Sequence, residues 1–188
     1  MTEQQLLQDL VKGDEKAFRL LVDTHKNRVY NTVLGFIRHA DDAEDITQNV
    51  FIKIFETAGS FKQQSKLSTW IYRISVNESL DFIRHKNRKK RWAVITSLFD
   101  SDNELLHQQA DTDHPGVLAE NKEKAQILFS ALDKLPEKQK TAFLLQKTQD
   151  CSQQKIAEIM QISEGAVESL LTRAKANLKK LLVNYYTA

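Results

Sequence analysis

The stretch from Phe61 to Arg91, FKQQSKLSTWIYRISVNESLDFIRHKNRKKR, constrains the chain more than any other. Wound at 3.6 residues per turn it carries two apolar stripes. Leu67, Trp70, Ile71 and Ile74 fall on one side, and Tyr72, Val76, Leu80 and Ile83 on the other. A helix with apolar sides back to back must be covered on both, which makes it the central member of a helical bundle. Past Ile83 the apolar pattern stops, and Arg84, Lys86, Arg88, Lys89, Lys90 and Arg91 follow almost without interruption. Cations this dense repel one another unless an anion lies beside them. Just upstream, Phe61, Lys62, Gln63, Gln64, Ser65 and Lys66 form a polar loop opened by an aromatic ring. Aromatic and amide groups beside a basic helix suit unstacked bases and a phosphate track. Taken singly, the aromatics read as core and the basic run as a solvated helix end; together they point to nucleic acid.

Composition narrows the class. A chain of 188 residues permits one large or two small domains. Only 5 Gly and 2 Pro argue against a turn-rich β architecture, and 41% hydrophobic residues suffice for cores. The lone Cys151 excludes an internal disulfide framework and fits a reducing, cytoplasmic setting. No segment has the apolar length of a signal peptide or a membrane span, so no membrane insertion is expected.

In chain order, Leu6, Leu7, Leu10 and Val11 mark a short amphipathic helix closed by Gly13. Asp14 caps a second helix whose Ala17, Phe18, Leu21, Val22, Val29, Val33 and Ile37 keep helical spacing. Asp41 and Glu44 have capping-box spacing, with Asp41 as the cap. The helix they open, from about Asp42 to Thr57, buries Ala43, Ile46, Val50 and Ile54. On its other side Asp45, Gln48 and Ile52 align, flanked by Phe51 and Phe55. An acidic face with an apolar centre is either ordinary packing against the first helices or a docking surface for a basic partner.

From Ser97 to Asn121 the periodicity fades and acidic residues accumulate with no Lys or Arg, which reads as a solubilising linker. A second helical unit follows. Leu118, Ala125, Leu128, Phe129, Leu132 and Leu135 mark one helix, and Pro136 suits the first turn of the next, which holds Ala142, Phe143, Leu144 and Leu145. Ser152 caps a short helix with Ile156, Ala157, Ile159 and Met160, and Ser163 caps the last one after the tight connection Gln161-Ile162-Ser163. There Val167, Leu170, Leu171, Ala174, Leu178, Leu181 and Leu182 form one apolar stripe. Short helix, three-residue turn and longer helix make a helix-turn-helix. Its outward face offers Gly165, Ser169, Thr172 and Ala176 beside Glu168, Arg173, Lys179 and Lys180, the small, polar and basic mixture that a major groove accepts. The pattern also arises by chance in many single sequences.

No catalytic, cofactor or metal constellation competes. His25, His39, His85, His107 and His114 are scattered, and none pairs with Cys151 at ligand spacing. Asp41, Asp42, Glu44 and Asp45 most simply complement the helix dipole.

The segments DDAEDITQNVFIKIF, FKQQSKLSTWIYRISVNESLDFIRHKNRKK, LDKLPEKQKTAFLLQ and SQQKIAEIMQISEGAVESLLTRAKANLKKLL, in this order, resemble an extracytoplasmic-function (group IV) bacterial sigma factor over nearly the whole chain. The resemblance implies an all-α fold of two small domains, residues 1–92 and 117–188, joined by a flexible acidic linker, 93–116, with the second domain a helix-turn-helix. It implies a non-enzymatic protein, without cofactor, that binds core RNA polymerase through the β′ clamp helices and the β subunit, recognises promoter DNA and opens it. Asp45, Gln48 and Ile52 then face the clamp helices. Phe61, Lys62, Gln64 and Asn77 match positions that capture a base flipped from the minus-ten element, Asn77 reaching towards the preceding loop. Arg84, Lys86 and Arg88 follow the adjacent backbone. The linker threads the polymerase channels. Glu168, Ser169, Thr172, Arg173 and Lys179 belong to the reader of the minus-thirty-five element. Many members are held by an anti-sigma factor. The chain departs from the family pattern at Glu168 and Leu170, where basic residues are common, so no known base code carries over. A stand-alone helix-turn-helix regulator and an RNA-binding or anti-sigma-like module are the readings from other classes.

Overall fold

Each helix begins and ends where a specific side chain or backbone conformation dictates it. The computed structural model describes residues 2–97 and 119–186. Helix α1, Glu3–Val11, opens on a reciprocal box in which Thr2 Oγ1 accepts from the Gln5 amide at 3.2 Å and Gln5 Oε1 accepts from the Thr2 amide at 3.1 Å. It closes at Gly13, whose φ of +79° costs a residue without a Cβ little. Asp14 then caps α2, Glu15–Ile37, its Oδ1 accepting from the Ala17 amide at 2.8 Å.

Helix α2 stops at Arg38, a non-glycine residue in the left-handed region whose N–H reaches the Leu34 carbonyl at 2.8 Å. That reversal leaves His39 extended, and His39 rather than Asp41 caps α3, Ala40–Thr57. Its Nδ1 accepts from the Asp42 amide at 3.3 Å. Asp41 and Asp42 lie already inside the first turn, where their charge suits the helix amino terminus. The expected box centred on Asp41 is therefore displaced two residues upstream, because the left-handed turn at Arg38 already leaves His39 extended. A turn of 3₁₀ helix, Ala58–Ser60, follows, and α4 runs from Leu67 to Ser97, past the basic run. Four further helices complete the described chain: α5, Ala119–Asp133; α6, Glu137–Thr148; α7, Gln153–Met160; and α8, Glu164–Tyr186. Among the described residues there is no strand.

The described residues form two compact units, 2–59 with 74–97, and 60–73 with 119–186. In the first, α2 packs against α1 and α3. Its core holds Leu7 and Leu10 from α1, Leu21, Val29, Val33 and Phe36 from α2, and Ala43, Ile46, Val50, Phe51 and Ile54 from α3. A large side chain buried this way contributes about 1.5–3 kcal/mol. Phe51 thus belongs to the core, not to the flank of the outer face. Two buried hydroxyls are satisfied within their own helices: Thr32 donates to the Arg28 carbonyl and Ser79 to that of Ser75, both at 2.7 Å.

In the second unit α8 packs on α5, α6 and α7. Ala131, Leu132, Leu135, Ala142, Leu144, Leu145, Ile156, Ala157, Ile159, Val167, Leu171, Ala174 and Leu178 are buried. Leu128, counted in the α5 stripe by its spacing, is exposed, and Ala131 is buried on that helix instead. Leu118 lies outside the described residues. Pro136 sits at the cap of α6 rather than in its first turn, and its carbonyl accepts from the Gln139 and Lys140 amides. Buried Gln139 is satisfied by the Asn177 amide at 2.9 Å. The first turns of α4 also belong to this unit. There fully buried Thr69 donates to Glu158 Oε2 at 3.2 Å and accepts from Lys155, while Arg73 donates to the Glu158 carbonyl at 2.9 Å.

Candidate nucleic-acid and protein interfaces

Burying Ala43, Ile46, Val50 and Ile54 turns the opposite face of α3 outward. Asp45 and Gln48 are exposed there, and Ile52, 54% exposed, stands in line with them at steps of three and four. Phe55 continues the face; it is also exposed and meets Phe18 edge-on, with ring centroids 5.2 Å apart. An aliphatic and an aromatic side chain left to water beside a carboxylate and an amide form an apolar centre with a polar rim.

The loop before α4 is pinned at its first residue. The ring of Phe61 lies on that of Trp70, centroids 4.9 Å apart and planes tilted by 32°. Lys62, Gln63, Gln64 and Lys66 are exposed, and Gln63 takes a left-handed φ of 54°. The Lys66 carbonyl then receives the Thr69 amide at 2.9 Å, which starts α4. Sequence spacing placed Trp70 on an apolar stripe; it is only half-buried and serves the loop.

Further along α4, Asn77 is exposed. The basic run is partly occupied from within. Arg84 Nη1 lies 2.9 Å from Asp81 Oδ1 on the same helix, whereas Lys86 Nζ lies 3.0 Å from Asp42 Oδ2 on α3. The Lys86 ammonium also stands 5.5 Å above the Phe82 ring. Arg88 and Lys89 are exposed; the side chains of Lys90 and Arg91 lie outside the described residues. Asp81, Arg84, Asn87 and Arg88 line an open cleft of about 440 Å³, in which Asp81 and Asn87 are additions to the residues singled out by sequence. Among the described residues no three His, Cys, Asp or Glu side chains converge as metal ligands would, and no helix is long and apolar enough to cross a membrane.

In α8 the buried row Val167, Leu171, Ala174 and Leu178 fixes what faces outward. Glu168, Thr172, Arg173, Ala176, Lys179 and Lys180 are exposed, and Ser169 is half-buried at the edge. The turn is built as its sequence suggests. Gln161 adopts the left-handed conformation, the Ile162 amide reaches back to the Ala157 carbonyl at 3.1 Å, and Ser163 Oγ accepts from the Ala166 amide at 3.2 Å. Ser152 caps α7 in the same manner.

A helix-turn-helix with a polar outer row, in one chain with a cation-rich helix and an exposed aromatic-led loop, is the equipment of a DNA-binding transcription factor. Comparison with known proteins gives the particular kind. Residues 21–89 match the family model for Sigma-70 region 2, and residues 125–178 that for Sigma-70, region 4. The chain is 31% identical to the ECF RNA polymerase sigma-E factor of Haemophilus influenzae, over 93% of this chain and 92% of that one. It is 29% identical to the RNA polymerase sigma-H factor of Pseudomonas aeruginosa, over 96% and 93% of the two chains. Among solved structures it is similar to the sigma factor RpoE of Bartonella quintana in complex with the anti-sigma factor NepR, with a TM-score of 0.62, 25% identity, and 89% and 97% of the chains covered. The chain belongs to the extracytoplasmic-function sigma factors and is an alternative sigma factor acting in transcription initiation.

Proposed function

We propose that this sigma factor docks on core RNA polymerase through Asp45, Gln48 and Ile52 of α3, and that its DNA contacts divide between two elements. Phe61, Lys62 and Gln64 of the loop, with Asn77 of α4, take the minus-ten element, and Arg84, Lys86 and Arg88 follow the duplex backbone. Glu168, Ser169, Thr172, Arg173 and Lys179 of α8 take the minus-thirty-five element. The functional division is 1–92 for core binding and minus-ten recognition, 93–116 as linker and 117–188 for minus-thirty-five recognition. The chain works by binding, in the cytoplasm, and catalyses nothing itself. An anti-sigma factor of the kind seen with the Bartonella relative is a fitting second partner.

The observation that carries this reading is the face of α3. Folding alone gives no reason to hold Ile52 54% exposed, yet Gln48 and Asp45 align with it one and two turns upstream. A partner that covers the row gives it one. Transcription from a randomised promoter library by purified core polymerase, with and without the protein, is the direct test. Added protein should select one family of promoters carrying two spaced elements. Binding of DNA by the protein alone, with no effect on core-dependent transcripts, would overturn the proposal in favour of a stand-alone regulator.

A further inference from the structure

We propose that Asp42 is a positioning residue for promoter DNA: it holds Lys86 against the start of α3, so that a phosphate must displace an internal carboxylate before gaining this cation. The inference rests on the reading of the basic run as a backbone track.

Lys86 takes a counter-charge from a different helix, unlike the Arg84–Asp81 pair. The Arg84 partner, Asp81, is on the same helix and three residues away, so that pair moves with α4 as one piece. The Lys86 partner is 44 residues distant, on α3, and the Nζ–Oδ2 separation is 3.0 Å. The ammonium is held on a second side by the Phe82 ring. Asp42 itself is fixed at two points: it occupies the first turn of α3, and its amide donates to His39 Nδ1. Its side chain is 29% exposed against 47% for Lys86, so the carboxylate is the anchored partner and the lysine the movable one.

An exposed pair of this kind is weak enough for DNA to compete with. A surface ion pair contributes about 0.2–1 kcal/mol, roughly 1.5- to five-fold in an equilibrium. Removing Asp42 should therefore release Lys86 at a gain of that size and make one more phosphate contact available. Each such contact adds about 0.9 to the slope of log affinity against log salt.

The measurement uses holoenzyme at saturating core and a fluorescein-labelled promoter fragment selected from a randomised library by the wild-type protein. Affinity is read by anisotropy across a salt series. Asp42→Asn keeps the backbone amide that His39 caps, and Asp42→Ser is equally compatible with a first turn; both should tighten binding about two- to five-fold at low salt and steepen the slope by about 0.9. Lys86→Ala alone should lower the slope by less than half as much as Arg88→Ala does. In the Lys86→Ala background, Asp42→Asn should give no gain. A gain that persists without Lys86 overturns the inference, because Asp42 would then act only through the overall charge. So does an unchanged slope in both Asp42 variants while Arg88→Ala still lowers it. If Arg88→Ala and Lys89→Ala leave the slope at the wild-type value, the backbone-track reading itself fails, and the inference falls with it.

Discussion

Phe61 and Trp70 form one tilted ring pair, centroids 4.9 Å apart, that ties the first residue of the exposed loop to the first turn of α4. A base drawn from the duplex must find its pocket ready, since unstacking already costs a few kcal/mol. An aromatic pair contributes about 0.5–1.5 kcal/mol beyond its buried area. Trp70→Ala should thus slow promoter opening by about two- to ten-fold while core binding stays at wild type, and Trp70→Phe should recover most of the loss. Permanganate reactivity of the melted strand, followed in time, reads this directly. Opening at the wild-type rate in Trp70→Ala would separate the ring pair from melting.

On α3, the outward Asp45 offers a charge reversal that leaves the core untouched, because Ile46 and Val50 point the other way. Asp45→Arg should abolish detectable capture of core polymerase with helicity by circular dichroism unchanged, since like-charge juxtaposition at an interface costs several kcal/mol. Ile52→Ala should weaken capture without removing it. Core binding by Asp45→Arg at wild-type affinity would move the docking surface elsewhere.

Asn77 is exposed, so replacing it leaves no buried polar group orphaned. Asn77→Ala should shift thermal stability by under about 0.5 kcal/mol, as surface changes usually do. Its effect should appear in the promoters selected, as a relaxed choice at one minus-ten base. Unchanged preference at every minus-ten position would remove Asn77 from the site.

What was legible in the sequence was what is decided locally. Asp14, Ser152 and Ser163 cap the helices they precede, because a cap depends on residues three apart. Val167, Leu171, Ala174 and Leu178 of the α8 stripe are buried as their spacing requires, while Leu170 is only half-buried. The outward direction of Asp45, Gln48 and Ile52 follows from the same periodicity. What escaped depends on partners far along the chain. His39 became a cap because Arg38 ended α2 in a left-handed turn, a conformation that side chain does not advertise. Thr69, Ser75 and Ser79 are buried although none is apolar, since small hydroxyls bonded within a helix or to a neighbour tolerate burial. The Asp42–Lys86 pair joins positions that no local pattern relates.

His25 gives the fold a pH dependence. Partial burial, with Arg28 nearby, lowers its pKa below the ordinary 6.5, and Glu3 opposes the shift. The folded state therefore disfavours the imidazolium, and the unfolded chain binds more protons between the lowered value and 6.5. This contribution to stability is present above pH 6.5 and is lost as pH falls from 6.5 through the folded value. His25→Gln should lose less stability than wild type between pH 7.5 and 5.5 in paired urea titrations. Parallel pH profiles for the two proteins would assign the dependence to other groups.

Helix α8, proposed to read the minus-thirty-five element, yields the sharpest test, because its exposed residues differ in what they would offer DNA. Thr172 stands fully outward, Ser169 borders the same face, and neither carries a charge. Changes at either should alter preference at one or two bases, by about 1–3 kcal/mol where a good contact is lost. Arg173 is exposed one position further round and should act chiefly on a phosphate. Its loss should weaken all sequences about equally and reduce the salt slope by roughly one. Exposed Glu168 is repelled by phosphate but can accept a hydrogen bond from the amino group of a cytosine. Glu168→Lys should then raise general affinity, steepen the salt slope and lose discrimination at one cytosine-bearing position of the minus-thirty-five element. Holoenzyme carrying each variant, assayed on promoters randomised only in that element at two salt concentrations, separates these effects. If Glu168→Lys gains affinity but selects the wild-type sequence, Glu168 sets the charge of the helix and reads no base.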